Sequence, residues 1–288
     1  MLNIIVAPHN IDAKAEKITK KIVRYLKQQN EEYSVYFSLD MDCIATNVNE
    51  LLSLGETEFV VVGDDSVIHK LINSIKDMSK IKLGIIPTSN NDDFASYINL
   101  NSKPVEALKV ILNRKIHQCD LLLVNNLRVL NNVVIGASAD ILDKYNQHKI
   151  KNAITEQLAI FQHQKNFKGV ELSLSSKNGK SKTDIFYEII IANGGKNKGK
   201  VISPLSNIED GLFNLNYVLY ENRKQGKKYL KAFSKGKHIY LDETKQQWLN
   251  NLKIISPNNK IKAVVDGNVL SLDSLDVQIV EKGLKIYR

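Results

Sequence analysis

The chain has 288 residues, 43% hydrophobic and 25% charged, which describes a globular protein of one large or two ordinary domains and excludes disordered and fibrous classes. No apolar run approaches the roughly 20 residues that span a bilayer, and two cysteines with six scattered histidines give neither a disulfide framework nor a zinc spacing. The net charge of +9 favours anionic partners, and the start MLNIIVAPHN carries no secretion signal, so a soluble cytoplasmic protein is expected.

The first hundred residues alternate strand and helix. NIIVA (3–7) reads as a strand, and Asp12 as the cap of a helix in which Ile18, Ile22 and Leu26 share a face. YSVYFSL (33–39), EFVVV (58–62) and LGIIP (83–87) are the next strands. After Ser66, Val67, Leu71, Ile72 and Ile75 recur at helical spacing. PVEALKVILNR (104–114) is a further helix, with Pro104 suited to its first turn. Strands separated by helices argue for right-handed βαβ units and a parallel sheet.

The pattern changes near residue 118. CDLLLVNN, LRVLNNVVIGAS, GVELSLSS, DIFYEIIIANG, LFNLNYVLYE, HIYLDE, LKIIS, IKAVVDGN and LDVQIVEKG all read as strands, and only 139–163 and 222–233 as helical. Two domains follow: α/β over residues 1–117 and a β-rich, sandwich-like domain over 118–288, whose C-terminal end is able to pack back on the first. RKQGKKYLKAFSKGK (223–237) holds seven basic residues and no acid. No paired Cys/His finger and no aromatic RNA-binding signature accompanies it, so nucleic acid is not the expected partner.

Four polar clusters fall where strands end, the place where open α/β sheets bind ligands: GDDS (63–66), PTSNNDDFA (87–95), IEDGLF (208–213) and VVDGN (264–268). Taken singly each is a turn or a helix cap. Their order resembles the diacylglycerol kinase catalytic-domain family, in particular the soluble bacterial lipid kinases, which are distantly related to NAD kinases. The family's GGDGT turn is matched by Val62-Gly63-Asp64-Asp65-Ser66, and its P-x-G-T-x-N-D-F-A loop by 87–95. Asp120, Ala192-Asn193-Gly194-Gly195, Pro204, Asp210-Gly211 and Val265-Asp266-Gly267 follow in the family's order.

The resemblance implies an open parallel α/β domain followed by a β-rich, sandwich-like one. It also implies ATP as phosphoryl donor, Mg²⁺ as cofactor, and the hydroxyl of a diacylglycerol-type lipid as acceptor, with peripheral contact to an anionic membrane. Nucleotide contacts fall to Gly63, Asp64, Asp65, Ser66, Ser89, Asn90 and Asp93. Asp64 would help hold the catalytic metal and Asp210 a second, structural one. Asp64 and Asn268 occupy the catalytic positions, Asn268 standing where the family has a glutamate base. The departures fall on chemistry: Val62 for glycine, Asp65 for glycine, Ser89-Asn90 for Gly-Thr, Asp92 for asparagine, and an amide at position 268 that accepts no proton. Two readings follow: an ATP-dependent lipid kinase, or a degenerate paralogue that binds nucleotide, lipid or protein without turnover.

Overall fold

The computed structural model describes residues 1–9, 12–89, 92–100, 103–176, 181–197, 199–257 and 260–288. They form two compact units, Met1–Leu121 with Val280–Arg288, and Leu122–Ile279.

The first unit runs β1 (Leu2–Val6), α1 (Ala15–Gln28), β2 (Tyr33–Phe37), α2 (Met41–Ser53), β3 (Glu58–Val62), α3 (Asp65–Ser74), β4 (Lys82–Ile86), α4 (Asp93–Tyr97) and α5 (Pro104–Leu112). The strands pair in parallel in the order β2-β1-β3-β4, and Lys285 and Ile286 extend the sheet beyond β4. The residues of β1, and Val60, Val61 and Val62 of β3, are buried, as a parallel sheet covered on both faces requires. Ile18, Ile22 and Leu26 of α1 face inward. The cap of that helix differs from expectation. Lys14 takes the N-cap position without a side-chain bond, and Asp12 sits two residues earlier, accepting the Lys14 N–H at 3.0 Å in a turn. Pro104 does open α5.

The second unit takes over within β5 (Ile116–Val124) and continues β6 (Leu127–Val129), β7 (Asn132–Gly136), α6 (Ala137–Asn146), α7 (Ala153–Asn166), β8 (Val170–Ser175), β9 (Lys182–Ala192), β10 (Lys196–Asn197), β11 (Lys200–Val201), β12 (Phe213–Leu219) and α8 (Arg223–Phe233). It ends with β13 (Lys245–Leu249), β14 (Asn251–Ile255), β15 (Ile261–Val265), β16 (Asn268–Leu272) and β17 (Ser274–Tyr287), the last of which crosses into the first unit. The central path is β16-β15-β7-β9-β8-β14-β17, with β12 joining β9 to β13. Period-2 alternation divides the strands. Val133, Ile135, Ile189, Ile191, Ala263 and Val265 point into one apolar core. Val134, Ile190, Ala192 and Val264 point to the opposite face and pack with Ala139 of α6. Burial on both faces is why EIIIA in β9 reads as an unbroken apolar run.

Three local readings are corrected. Residues 127–138 are two short strands and a helix start, because Gly136 at φ +108° turns the chain and a Cβ there would run into the Tyr187 carbonyl. The helical stretch 139–163 is two helices, with Asn152 and Thr155 forming a capping box at the second. HIYLDE is not a strand: His238–Tyr240 is a 3₁₀ turn, closed by a buried His238 whose Nε2 lies 2.9 Å from the Ile202 carbonyl. The strand of this region is β13, whose KQQWL pattern carries too little apolar alternation to announce it.

Candidate functional site

In the first unit, two strand–helix turns follow β3 and β4. Gly63 is needed for packing rather than for a left-handed backbone. A Cβ there would lie 2.9 Å from Val67 Cβ, so the first turn of α3 lies tight against the strand end only without one. Val62 is the buried last residue of β3, in extended conformation, so its β-branch strains nothing. Asp64 caps α3, its Oδ1 accepting the Ser66 and Val67 N–H groups at 3.0 and 3.3 Å and the Ser66 hydroxyl at 2.6 Å. Asp65, the departure from the family's glycine, makes a contact between two elements. Its carboxylate receives the Phe94 N–H at 3.1 and 3.3 Å and so ties α3 to the start of α4.

Asp92 closes the second turn, its Oδ2 accepting the N–H groups of Thr88 and Ser89, both at 3.0 Å. Burial pushes its carboxyl up to about 6, against the pull of those two amides, and the negative charges of Asp64 and Asp12 add to the rise. Two buried hydroxyls, Ser38 after β2 and Thr88 after β4, have no hydrogen-bond partner among the described residues. Asp93 and Ser89 lie half-buried on the same turn; Asn90 lies outside the described residues. This unit therefore brings Gly63, Asp64, Asp65, Ser66, Ser89 and Asp93 together at the carboxyl ends of its strands. Asp120, also in this unit, is buried and accepts the Lys282 N–H at 2.7 Å, holding a residue at φ +53°.

The other expected residues lie in the second unit. Asp266 and Gly267 are the two-residue turn between β15 and β16, with φ of +42° and +85°. The Asp266 carboxylate receives the N–H groups of Leu130 (2.8 Å), Asn131 (2.8 Å) and Asn132 (3.2 Å), and so fixes the bend between β6 and β7. Asn193 donates to the Leu130 carbonyl at 2.9 Å, and the Asn193 and Gly194 amides both reach Asn131 O. The N-G and D-G motifs thus meet in one network. Asn268 is exposed at the first position of β16. Asp210 is exposed in its own turn, accepting the Leu212 N–H at 3.0 Å.

The sequence did not reveal a cavity of about 450 Å³ on the helix-covered face of this unit. Val134 and Val264 form its floor, α6 contributes Leu142 and Tyr145, α7 Ile160, and α8 Phe233. Its volume falls within the roughly 300–1,000 Å³ typical of small-molecule pockets. Ser138 lines it and bonds to Glu188, a carboxyl wholly buried on β9 whose Oε2 accepts the Ser138 N–H at 2.9 Å. Burial drives Glu188 up to about 8, although the amides at the start of α6 pull the other way. Beside it, His163 Nδ1 lies 2.8 Å from Asp140 and Nε2 lies 3.1 Å from the Tyr187 hydroxyl, locking α7 to α6 and β9. The signals were present but weak: Gly136-Ala137-Ser138 sits in a stretch that reads as strand, and Glu188 interrupts an apolar one.

Residues 1–124 match the family model described as the diacylglycerol kinase catalytic domain, and residues 131–288 that described as the YegS C-terminal NAD kinase beta sandwich-like domain. The chain belongs to the diacylglycerol kinase catalytic-domain family. A Staphylococcus carnosus protein named as a lipid kinase is 25% identical over 79% of this chain and 76% of its own. An Alcanivorax borkumensis protein named "Probable lipid kinase YegS-like" is 20% identical over 97% and 94%. A solved diacylglycerol kinase from Bacillus anthracis superposes with TM-score 0.75 at 16% identity, covering 99% of this chain and 96% of that one. An Archaeoglobus fulgidus NAD kinase solved with ATP gives 0.58 at 13%. At these identities the structures speak for the fold, an α/β domain followed by a β-sandwich-like one. No helix among the described residues is long and apolar enough to cross a membrane.

Mg²⁺ is expected at Asp64 and Asp210 from the family resemblance alone. Among the described residues no three His, Cys, Asp or Glu side chains gather as a metal cage. Asp64 Oδ1 is occupied by three donors of its own turn, and Asp210, in the second unit, accepts the Leu212 amide. These side chains do not by themselves fit a hexacoordinate oxygen site.

Proposed function

We propose that this protein is a lipid kinase that transfers the γ-phosphoryl group of ATP to the hydroxyl of a diacylglycerol-type lipid, at a turnover kept low by its altered donor turn and base position. The observation that carries the acceptor is the apolar cavity of the second unit, which offers Leu142, Ile160 and Phe233 to a hydrocarbon chain. The donor side is supported by the Ser38 and Thr88 hydroxyls at the strand ends, buried and without a partner among the described residues, where an open sheet receives a ligand. In this reading Asp64 holds the α3 turn in shape, Ser89 and Asp93 face the nucleotide, and the lysines and arginine of 223–237 favour an anionic lipid surface.

A second reading, binding without turnover, is favoured by one observation. Asp65 already occupies the Phe94 amide, so a carboxylate stands where a phosphate would need a donor. Asn268 supplies no proton acceptor in either case, which typically costs about 10²–10⁴ in rate. Calorimetric titration of ATP·Mg²⁺ together with radiolabelled ATP and diacylglycerol micelles separates the two. Slow labelling of the lipid supports the kinase. Binding with no labelled lipid selects the second reading, and the absence of binding refutes both for the nucleotide.

A further inference from the structure

A surface helix ordinarily turns its apolar residues inward and its polar ones outward. In α7 the inward side is Ala159 and His163, both buried. The outward side is apolar too. Ile154, Leu158 and Phe161 are 78%, 43% and 64% exposed, and Ile150 just before the helix is 69% exposed. The spacing of four and three residues from Ile154 to Leu158 to Phe161 places these three in one stripe along the helix, with the exposed Ile150 in the segment that leads into it. Lys165, one turn further on, continues the same stripe as an exposed cation.

The surroundings of the stripe are basic. Lys149 and Lys151 flank Ile150, Lys168 follows the helix, and Arg223 donates to the Lys165 carbonyl at 2.6 Å, which brings the start of α8 and its exposed Lys224 to the end of α7. Two carboxylates stand nearby: Glu156, which lines the cavity on another side of α7, and Glu221 ahead of α8. Lys228, further along α8, is already paired with Glu243. Apolar residues rimmed by cations match an anionic bilayer surface, whose interior accepts the stripe and whose headgroups accept the rim.

We infer that the outer face of α7, from Ile150 through Phe161 to Lys165, docks on an anionic lipid surface, seating the α6–α7–α8 cavity beside the bilayer. The choice of a lipid occupant rests on the lipid-kinase reading; the exposed stripe does not. Glu156 and Ile160, on the other side of the same helix, line the cavity, so docking through α7 would place the cavity about one helix diameter from the bilayer. The apolar stripe supplies the hold, and the basic segment 223–237 the long-range attraction.

The test is co-sedimentation of the full chain with phosphatidylcholine vesicles, with and without phosphatidylglycerol, at low and high salt. Ile154→Ser with Phe161→Ser changes only exposed side chains, and should weaken binding about a hundredfold, since each apolar side chain kept from water is worth about tenfold. Lys165→Gln with Lys224→Gln should weaken binding to the anionic vesicles only, with a reduced salt dependence. Wild-type sedimentation unchanged in the serine variant overturns the inference. So does a dimer in sedimentation velocity that the serine variant dissociates, which would make a second copy the occupant. Phosphorylation of a short-chain, soluble diacylglycerol keeps the two readings apart. A wild type that labels no lipid yet binds vesicles through the stripe refutes the kinase and leaves the docking face standing. One that labels the soluble lipid while ignoring the stripe does the reverse.

Discussion

Glu188→Gln isolates the buried carboxyl beneath the cavity. The folded protein holds its proton up to about pH 8, whereas an unfolded glutamate releases it near 4.5. Between those values the folded state binds the extra proton, so stability is fully present below 4.5 and falls as pH rises towards 8. The slope is about 1.4 kcal/mol per pH unit, and the window of roughly 3.5 units bounds the effect at about 5 kcal/mol. Glutamine keeps an oxygen for the Ser138 N–H and offers an N–H to the Ser138 hydroxyl, so the geometry survives while the titration disappears. Urea unfolding is followed at Trp248, the single tryptophan, on β13 beside β12, which pairs with the strand carrying Glu188. From pH 5.5 to 7.5 the wild type should lose about 3 kcal/mol relative to the variant. Parallel pH profiles would refute the buried-acid argument, because every other titrating group is common to both proteins.

Gly63→Ala should destabilise the first unit by about 1–3 kcal/mol, read as a lowered thermal midpoint, because the new methyl meets the β-branched Val67 head-on. Asp266→Ala leaves three backbone N–H groups without their acceptor and should cost about 3 kcal/mol or more. Asp266→Asn, which tolerates the positive φ, should cost less by the same urea measurement. For Asp92, the raised carboxyl loses its contribution as pH rises through about 6, so Asp92→Asn should flatten the decline of protection between pH 4 and 6 in hydrogen exchange at the Thr88 and Ser89 amides.

The parallel sheet was legible because β-branched runs such as Val60-Val61-Val62 fit a buried strand, and the strands of the second domain because short apolar runs such as Val133-Val134-Ile135 and Ile189-Ile190-Ile191 are bounded by turn residues. What stayed hidden depends on contacts distant in sequence. Nothing local says that Asp65 will meet the Phe94 amide 29 residues on, or that Asp266 will hold a bend 134–136 residues earlier. A carboxylate in a turn looks the same whether it awaits a metal or satisfies an amide. The α7 stripe escaped for a related reason. A helix apolar on both sides gives no clear periodicity, and only the fold decides which side faces water.

The two alterations on the donor and acceptor sides make separable claims. Asp65→Gly removes a negative charge and frees the Phe94 N–H, and should tighten ATP binding about tenfold with little change in turnover. Val62 needs no repair, since it is buried strand and its loss would open a cavity. Asn268→Glu supplies a base at an exposed position and should raise turnover by about 10²–10⁴ while leaving ATP affinity unchanged. The two act on different steps, so the double variant should show both gains together in a radiolabelled micelle assay, with affinity read by calorimetry. If Asp65→Gly instead weakens ATP binding, the carboxylate is shaping the turn for the nucleotide rather than competing with it. In that case the tie between α3 and α4 is part of a working donor site, and the reduced turnover proposed above rests on Asn268 alone.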